Sequence, residues 1–198
     1  MGSVYTKRIA KKCAVIMYRA GCKPETVLNL GAGSFPEICM WKQWFPDACM
    51  VAIDPKEIRP EALSILKSWK RSTYVQAAIG DGSSPIASFC VRCSSTVCKK
   101  PEEHKRRRKH AEVPTITIDD LAKDLPSPFF VWMDIDGAEL QALAGASETL
   151  KRTEWMCVEL FDWIPGHAGK VFRSLKRCGF RMKRRFQHDG LFCKDKGK

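Results

Sequence analysis

Long apolar runs are missing from this sequence: stretches such as Phe129 to Met133 fall far short of the roughly 20 residues that a bilayer-spanning helix needs. No segment is expected to cross a membrane. The opening residues also lack the apolar stretch of a secretory leader, so the ten cysteines are expected to stay reduced in a cytoplasmic setting rather than to form a disulfide framework. Acidic residues are in deficit, 22 against 34 Lys and Arg, leaving a formal charge of +12. Such a balance favours polyanions or anionic surfaces as neighbours. Histidines number four, and neither an internal repeat nor a second domain is visible. What is present, 198 residues of which 44% are apolar, suffices to bury a real core and excludes disorder throughout.

Much of the positive charge sits in three places: Lys7, Arg8, Lys11 and Lys12; Lys99 to His110; and Arg173 to Arg185. The first belongs to a basic amphipathic helix expected over 1–22, with Ile9, Cys13, Ile16 and Met17 on its inner face. The second lies in an expected mobile loop over 82–114. Its core, Lys105 to Lys109, can grip RNA phosphates, steer an anionic substrate, serve as a nuclear address or stay solvated, but no aromatic residue interrupts it to stack on bases. Cys90, Cys93, Cys98 and His104 have the number and type of ligands for tetrahedral zinc, although no second pair of knuckle cysteines follows, and reduced thiols beside a loop suit the same spacing. Met1-Gly2-Ser3-Val4-Tyr5-Thr6 fits an N-myristoylation pattern and equally fits an ordinary start.

Between these segments the chain alternates. Val27 to Leu30 reads as a buried strand running into Gly31-Ala32-Gly33, after which Ser34 and Glu37 offer a capping box for a helix reaching about Phe45. Met50 to Ile53 is a second strand ended by Asp54-Pro55, and a helix with Ala62, Ile65, Leu66 and Trp69 inward follows. Further strands are expected at Tyr74 to Ile79, Phe129 to Ile135 and Trp155 to Leu160, with a helix carrying Leu140, Leu143, Ala144 and Leu150 between the last two. Alternation of this kind predicts an α/β fold with a doubly wound, mostly parallel, Rossmann-like sheet. The tail breaks the pattern: Phe180 to Phe186 and Leu191 to Lys194 are expected to form an antiparallel edge hairpin turned at Asp189-Gly190.

In such a sheet the ligand lies beyond the carboxyl ends of the strands, which puts Gly31 and Gly33 at the expected site. A dinucleotide would need a third glycine at position 36, where Pro36 stands. Asp54, 21 residues after Gly33, is placed to accept both hydroxyls of a ribose. S-adenosylmethionine (SAM) has a ribose and no diphosphate, and so suits two glycines and one acid. The same residues also suit a plain strand-to-helix turn in which Asp54 caps the next helix.

Taken together, VLNLGAGSFPE, AIDP, TITIDDL, VWMDIDGAELQALAGASETL and WMCVELF, in that order, resemble the FkbM-type SAM-dependent methyltransferases. The resemblance covers about Val27 to Phe192 and implies SAM as donor and a hydroxyl of a small molecule or sugar as acceptor. It implies that Asn29, Gly31, Ala32, Gly33 and Asp54 hold the cofactor, with Ala77 and Ala78 near the adenine and Asp134 beside the transferring methyl. The chain departs from the family at Met133, where Lys is usual, and at Asp136, where Glu is usual.

Methyl transfer to oxygen needs alignment of the reacting atoms and a base for the hydroxyl proton. Asp134, Asp136 and Glu139 cluster where the fourth strand meets its helix, and can orient a sulfonium, take a proton or bind a divalent cation. Asp136 as a helix cap and Glu139 at the helix's positive end are the structural alternatives. Glu159, ending the fifth strand, either holds the acceptor or pairs with an Arg, while His167 is a second candidate base, or a solvent-facing loop residue. The rival function is an RNA methyltransferase acting on ribose or cap hydroxyls, and a third possibility is a basic binding module without turnover.

Overall fold

The computed structural model describes residues 2–33, 37–90, 110–160 and 164–195, with side chains described from residue 6 onward. Helix α1 (Gly2–Arg19) buries Ile9, Ala10, Cys13, Ala14 and Met17, a helical three- and four-residue spacing, and leaves its lysines and arginines in solvent. Then come β1 (Thr26–Leu30), α2 (Ile38–Trp44), β2 (Cys49–Asp54), α3 (Pro60–Lys67), β3 (Ser72–Gln76), β4 (Ala78–Ile79) and β5 (Ile86–Cys90). After the segment 91–109 the order is β6 (His110–Ile116), α4 (Ile118–Ala122), β7 (Phe129–Met133), α5 (Glu139–Ala144), α6 (Ser147–Arg152) and β8 (Thr153–Glu159). The chain closes with α7 (His167–Arg177), β9 (Phe180–Phe186) and β10 (Asp189–Lys194).

The main sheet runs β3-β2-β1-β7-β8-β10-β9, parallel except for β10, which is antiparallel to both of its neighbours. Successive residues of each central strand face opposite layers, as the pleat requires. Phe130 and Trp132 of β7 pack with α1, α2 and α3, while Phe129, Val131 and Met133 pack with α4 to α7. Trp41 fixes the first layer, its ring 4.8 Å from that of Phe130 and 5.3 Å from that of Trp132. Burial of apolar groups at about 25 cal/mol per Å² on both faces is what holds the layers together.

Two local expectations change. The ends of the expected loop over 82–114 are strands: β5 pairs antiparallel with β6, which also pairs with β4 in a small second sheet. Lys99 to Lys109, with Cys93, Cys98 and His104, lies outside the described residues, so the zinc arrangement does too; Cys90 ends β5, buried. Asp189-Gly190 do not make the hairpin turn. Gln187, in the left-handed region at φ 42°, and His188 make it, and Asp189 and Gly190 begin β10. Gly190 is small for another reason, since a Cβ there would lie 2.6 Å from the Phe192 ring and 2.9 Å from Leu160. Among the described residues no helix is long and apolar enough to cross a membrane.

Candidate functional site

Strand β1 is flanked by β2 on one side and β7 on the other, so the connections leave its carboxyl end in opposite directions and open a crevice there. The chain at that point is held tightly. Gly31 (φ 82°) and Ala32 donate their backbone N–H groups to the Ile53 carbonyl at 2.9 and 3.0 Å, and Asp134 donates to the Leu30 carbonyl at 3.0 Å. Gly31 lies so close to Asp134 that a Cβ would overlap the Asp134 carbonyl oxygen and stand 2.7 Å from its carbon. Asp54, 8% exposed, closes the turn: Oδ2 accepts from the Gly33 N–H at 2.6 Å and Oδ1 from the Lys56 N–H at 2.9 Å. Ala77 and Ala78 are buried just past β3, whose Gln76 is paired with Asp54. The glycine turn, Asp54 and the alanines are therefore brought together.

Asn29 and Glu37 take roles that the sequence pattern misses. Helix α2 begins at Ile38 with no side-chain cap, and Glu37, 2% exposed, instead accepts a 2.8 Å hydrogen bond from Asn29 Nδ2. Ser34, the other half of the expected capping box, lies outside the described residues, and the Asn29 amide oxygen is buried with no hydrogen-bond partner among them. Burial pushes the Glu37 carboxyl from its ordinary 4.5 up to about 8, with the Asn29 bond opposing. The unfolded chain gives up this proton earlier, so between about pH 4.5 and pH 8 the folded state binds more protons and loses stability as pH rises. Glu37→Gln keeps an acceptor for Asn29 and removes the charge. Its thermal midpoint is expected to fall less than that of the wild type across this window, a difference on the order of a few kcal/mol at the alkaline end. Parallel melting curves would remove Glu37 as the titrating group.

At the end of β7, Asp134, Ile135 and Asp136 are partly buried, and Asp136 adopts a left-handed conformation at φ 54°. Helix α5 starts only at Glu139, capped by Ala138 without a side-chain bond, so Asp136 is not its cap. Glu139 is fully buried rather than merely favouring the helix's positive end. Its Oε1 accepts from the Gly137 N–H at 3.2 Å, its Oε2 lies 3.2 Å from Nε2 of His167, and burial raises its carboxyl to about 7. His167 is not in a solvent-facing loop: it opens α7, is 4% exposed, and burial lowers its basicity. The pair joins α5 to α7 behind the crevice.

Glu159 ends β8 beside Asp134. Burial foremost, then the charge of Asp134 and a hydrogen bond with it, push the Glu159 carboxyl far above its usual range, so it keeps its proton at neutral pH. Asp136 and Asp189 add to the same effect, and Asp189, in register with Glu159 across the antiparallel pair, is a buried carboxylate that reading the tail as a turn hides. The sequence signal for it was weak, since only the hairpin register brings Asp189 to Glu159. Among the described residues no group of three His, Cys, Asp or Glu is arranged to hold a metal ion.

These residues fit a nucleoside carrying a cationic sulfur. A turn without bulky side chains lies next to a buried acid, and among the described residues a Cβ on Gly33 would meet only the Gly31 carbonyl oxygen at 3.8 Å. A third glycine for a diphosphate is absent, with Pro36 in its place.

The family model of the methyltransferase FkbM domain matches residues 29–182. No curated protein sequence matches significantly. Among solved structures, magnesium protoporphyrin IX methyltransferase from Synechocystis PCC 6803 with bound SAM is similar with a TM-score of 0.53 at 11% identity, over 96% of this chain and 78% of that one. The same enzyme with bound SAH gives 0.51 at 12% identity, over 96% and 82%. WbdD, co-crystallised with a kinase inhibitor, gives 0.51 at 11% identity, over 96% of this chain and 40% of that one. At these identities the likeness concerns the fold alone.

Proposed function

Because the chain belongs to the FkbM methyltransferase family, we propose that it transfers the methyl group of SAM to a hydroxyl oxygen of a small-molecule or sugar acceptor. The observation that carries this reading is the close approach of Gly31 to the Asp134 backbone, which sets the glycine turn beside the strand end where the Asp134 and Glu159 side chains meet. When bound, SAM supplies an electrophilic methyl on a sulfonium. Gly31, Ala32 and Gly33 would leave room for it, Asp54 would offer its remaining lone pairs to the ribose hydroxyls, and Ala77 and Ala78 would border the adenine.

Asp134 takes the hydroxyl proton. Glu159, already protonated, donates its hydrogen bond to Asp134 and keeps that carboxylate oriented. Two carboxyls sharing one proton have capacity for one more, which is what a single deprotonation requires. Support for oxygen over nitrogen comes from this pair: a neutral amine attacks through its lone pair without first losing a proton, whereas a hydroxyl needs a base in the transition state. Asp136, at the same strand end, would add its side chain to the surroundings of the sulfonium.

The test is calorimetric titration with SAM and with its demethylated product. Wild type is expected to bind both. Asp54→Ala removes the ribose acceptor and frees the Gly33 and Lys56 N–H groups, so affinity is expected to fall by about 10- to 100-fold, on the scale of one to two lost charge-assisted hydrogen bonds. Absence of binding by the wild type defeats the cofactor assignment. Unchanged affinity in the variant removes Asp54 from the ribose.

A further inference from the structure

Two of the basic clusters that are about 170 residues apart in sequence meet in space. Arg8, Lys11 and Lys12 from α1 and Arg184 and Arg185 from β9 line opposite walls of one groove of about 920 Å³, floored in part by Phe186. All five cations are exposed, and among the described residues no Asp or Glu lines the groove. The Lys12 ammonium stands 5.9 Å from the centre of the Phe186 ring, and the Arg185 Nε donates to the Gln187 carbonyl at 3.3 Å, so each wall is anchored to the hairpin. Opposed rows of like charge repel, and the repulsion is relieved by an anion lying between them.

The groove also points somewhere. Strand β9 is antiparallel to β10, which is antiparallel to β8, so the Phe186 end of β9 lies at the same sheet edge as Glu159. Gln187 lines the groove, His188 follows it and accepts a hydrogen bond from the Leu160 N–H, and Asp189 is in register with Glu159. One end of the basic groove therefore lies at the same end of the sheet as Glu159, two strands away across β10.

We propose that this groove binds the phosphodiester backbone of a single-stranded nucleic acid and leads a nucleotide's sugar hydroxyl toward Asp134. The binding is a property of the groove itself; only the delivery of the hydroxyl rests on the methyltransferase reading above. A strand is favoured over a membrane because the cations line a recess, which a bilayer surface cannot enter. The apolar side of α1 is mostly buried in the protein, with Val15 and Ile16 half-buried in the groove, and among the described residues none of the exposed large apolar side chains, Tyr18, Ile86 and Phe172, lines the groove to insert into lipid. Phe186 is buried and cannot stack on bases, so the groove reads backbone charge without sequence preference.

The experiment measures fluorescence anisotropy of short labelled oligouridine and oligothymidine against the full chain between about 50 and 200 mM salt. Wild type is expected to bind both, with affinity falling steeply as salt rises. The triple reversal Arg8→Glu, Lys12→Glu, Arg184→Glu is expected to weaken binding at least tenfold and to flatten the log-log salt slope by about 2, at roughly 0.7 per lost phosphate contact. A control of equal charge, Lys67→Glu, Lys70→Glu, Lys176→Glu, is expected to retain most of the affinity. Each reversal is also made singly, and SAM titration of every variant checks that it is folded. Equal losses in both triples, or no loss in the groove triple, would overturn the proposal, as would binding of phosphatidylserine vesicles with no binding of oligonucleotide. A wild type that binds oligonucleotide through the groove but not SAM would leave the groove standing and defeat the cofactor reading instead.

Discussion

Alanine at position 31 is expected to abolish SAM binding and to remove a large part of the domain's stability. Two costs coincide there. The backbone is left-handed at φ 82°, a conformation that costs an L-residue about 1–2 kcal/mol, and the added methyl overlaps the Asp134 carbonyl, a rigid backbone group that yields only by separating β1 from β7. Overpacking of that kind costs about 1–3 kcal/mol more. The sum, roughly 3–5 kcal/mol, is a large share of the 5–15 kcal/mol that keeps a typical domain folded. Gly33→Ala supplies the contrast. Its φ is 47°, but among the described residues an added Cβ meets nothing nearer than 3.8 Å, so only the conformational cost of about 1 kcal/mol is expected. Chemical denaturation of both variants decides the matter: equal losses would show that the approach to Asp134 is not what makes Gly31 necessary.

Asn in place of Asp134 is expected to lower the rate of methyl transfer by about 10²- to 10⁴-fold, the usual contribution of a positioned base, while SAM affinity changes by only a few-fold. The amide preserves shape and removes the proton acceptor. Gln in place of Glu159 is expected to be much milder, within about tenfold, because an amide N–H still donates to Asp134 as the protonated carboxyl does. The pair of variants separates the roles: a loss at Glu159 as large as that at Asp134 would mean that the proton is taken by Glu159. The acid limb of the rate profile is expected to follow the carboxyl pair as a unit, with activity lost as its second proton is bound.

Much of this arrangement was legible in the sequence because it is written in local patterns. Val27 to Leu30, Met50 to Ile53 and Phe129 to Met133 are apolar runs with no other good use than central strands, and each ends in the residue that reaches the crevice: Gly31, Asp54, Asp134. What was not legible depends on pairs that meet only in the folded chain. Glu37 looks like a helix cap from its spacing to Ser34, and nothing local says that Asn29, eight residues earlier on the strand below, will take it. His167 looks exposed among glycines until α5 and α7 are packed side by side and Glu139 faces it. Asp189-Gly190 carries a turn signal strong enough to hide that the actual turn is one pair earlier, at Gln187 and His188. The flanks of the basic loop were missed for a different reason: β5 and β6 alternate weakly and are held by each other rather than by the main core.

Among the described residues strand β9 is the outermost strand of the sheet, and its outward groups bear on how molecules of this protein treat one another. Arg181, Lys183, Arg184 and Arg185 are exposed along it, and the register slips at Leu191 and Phe192, so that Lys183 has no opposite residue and the strand bends. Free strand borders of this sort recruit a second copy through their open amides unless charge and irregular shape forbid it. Neutralising these side chains, whether by substitution or by a tightly bound counterion, therefore removes a barrier to self-association as well as a binding surface. A preparation handled that way is expected to scatter light long before it unfolds.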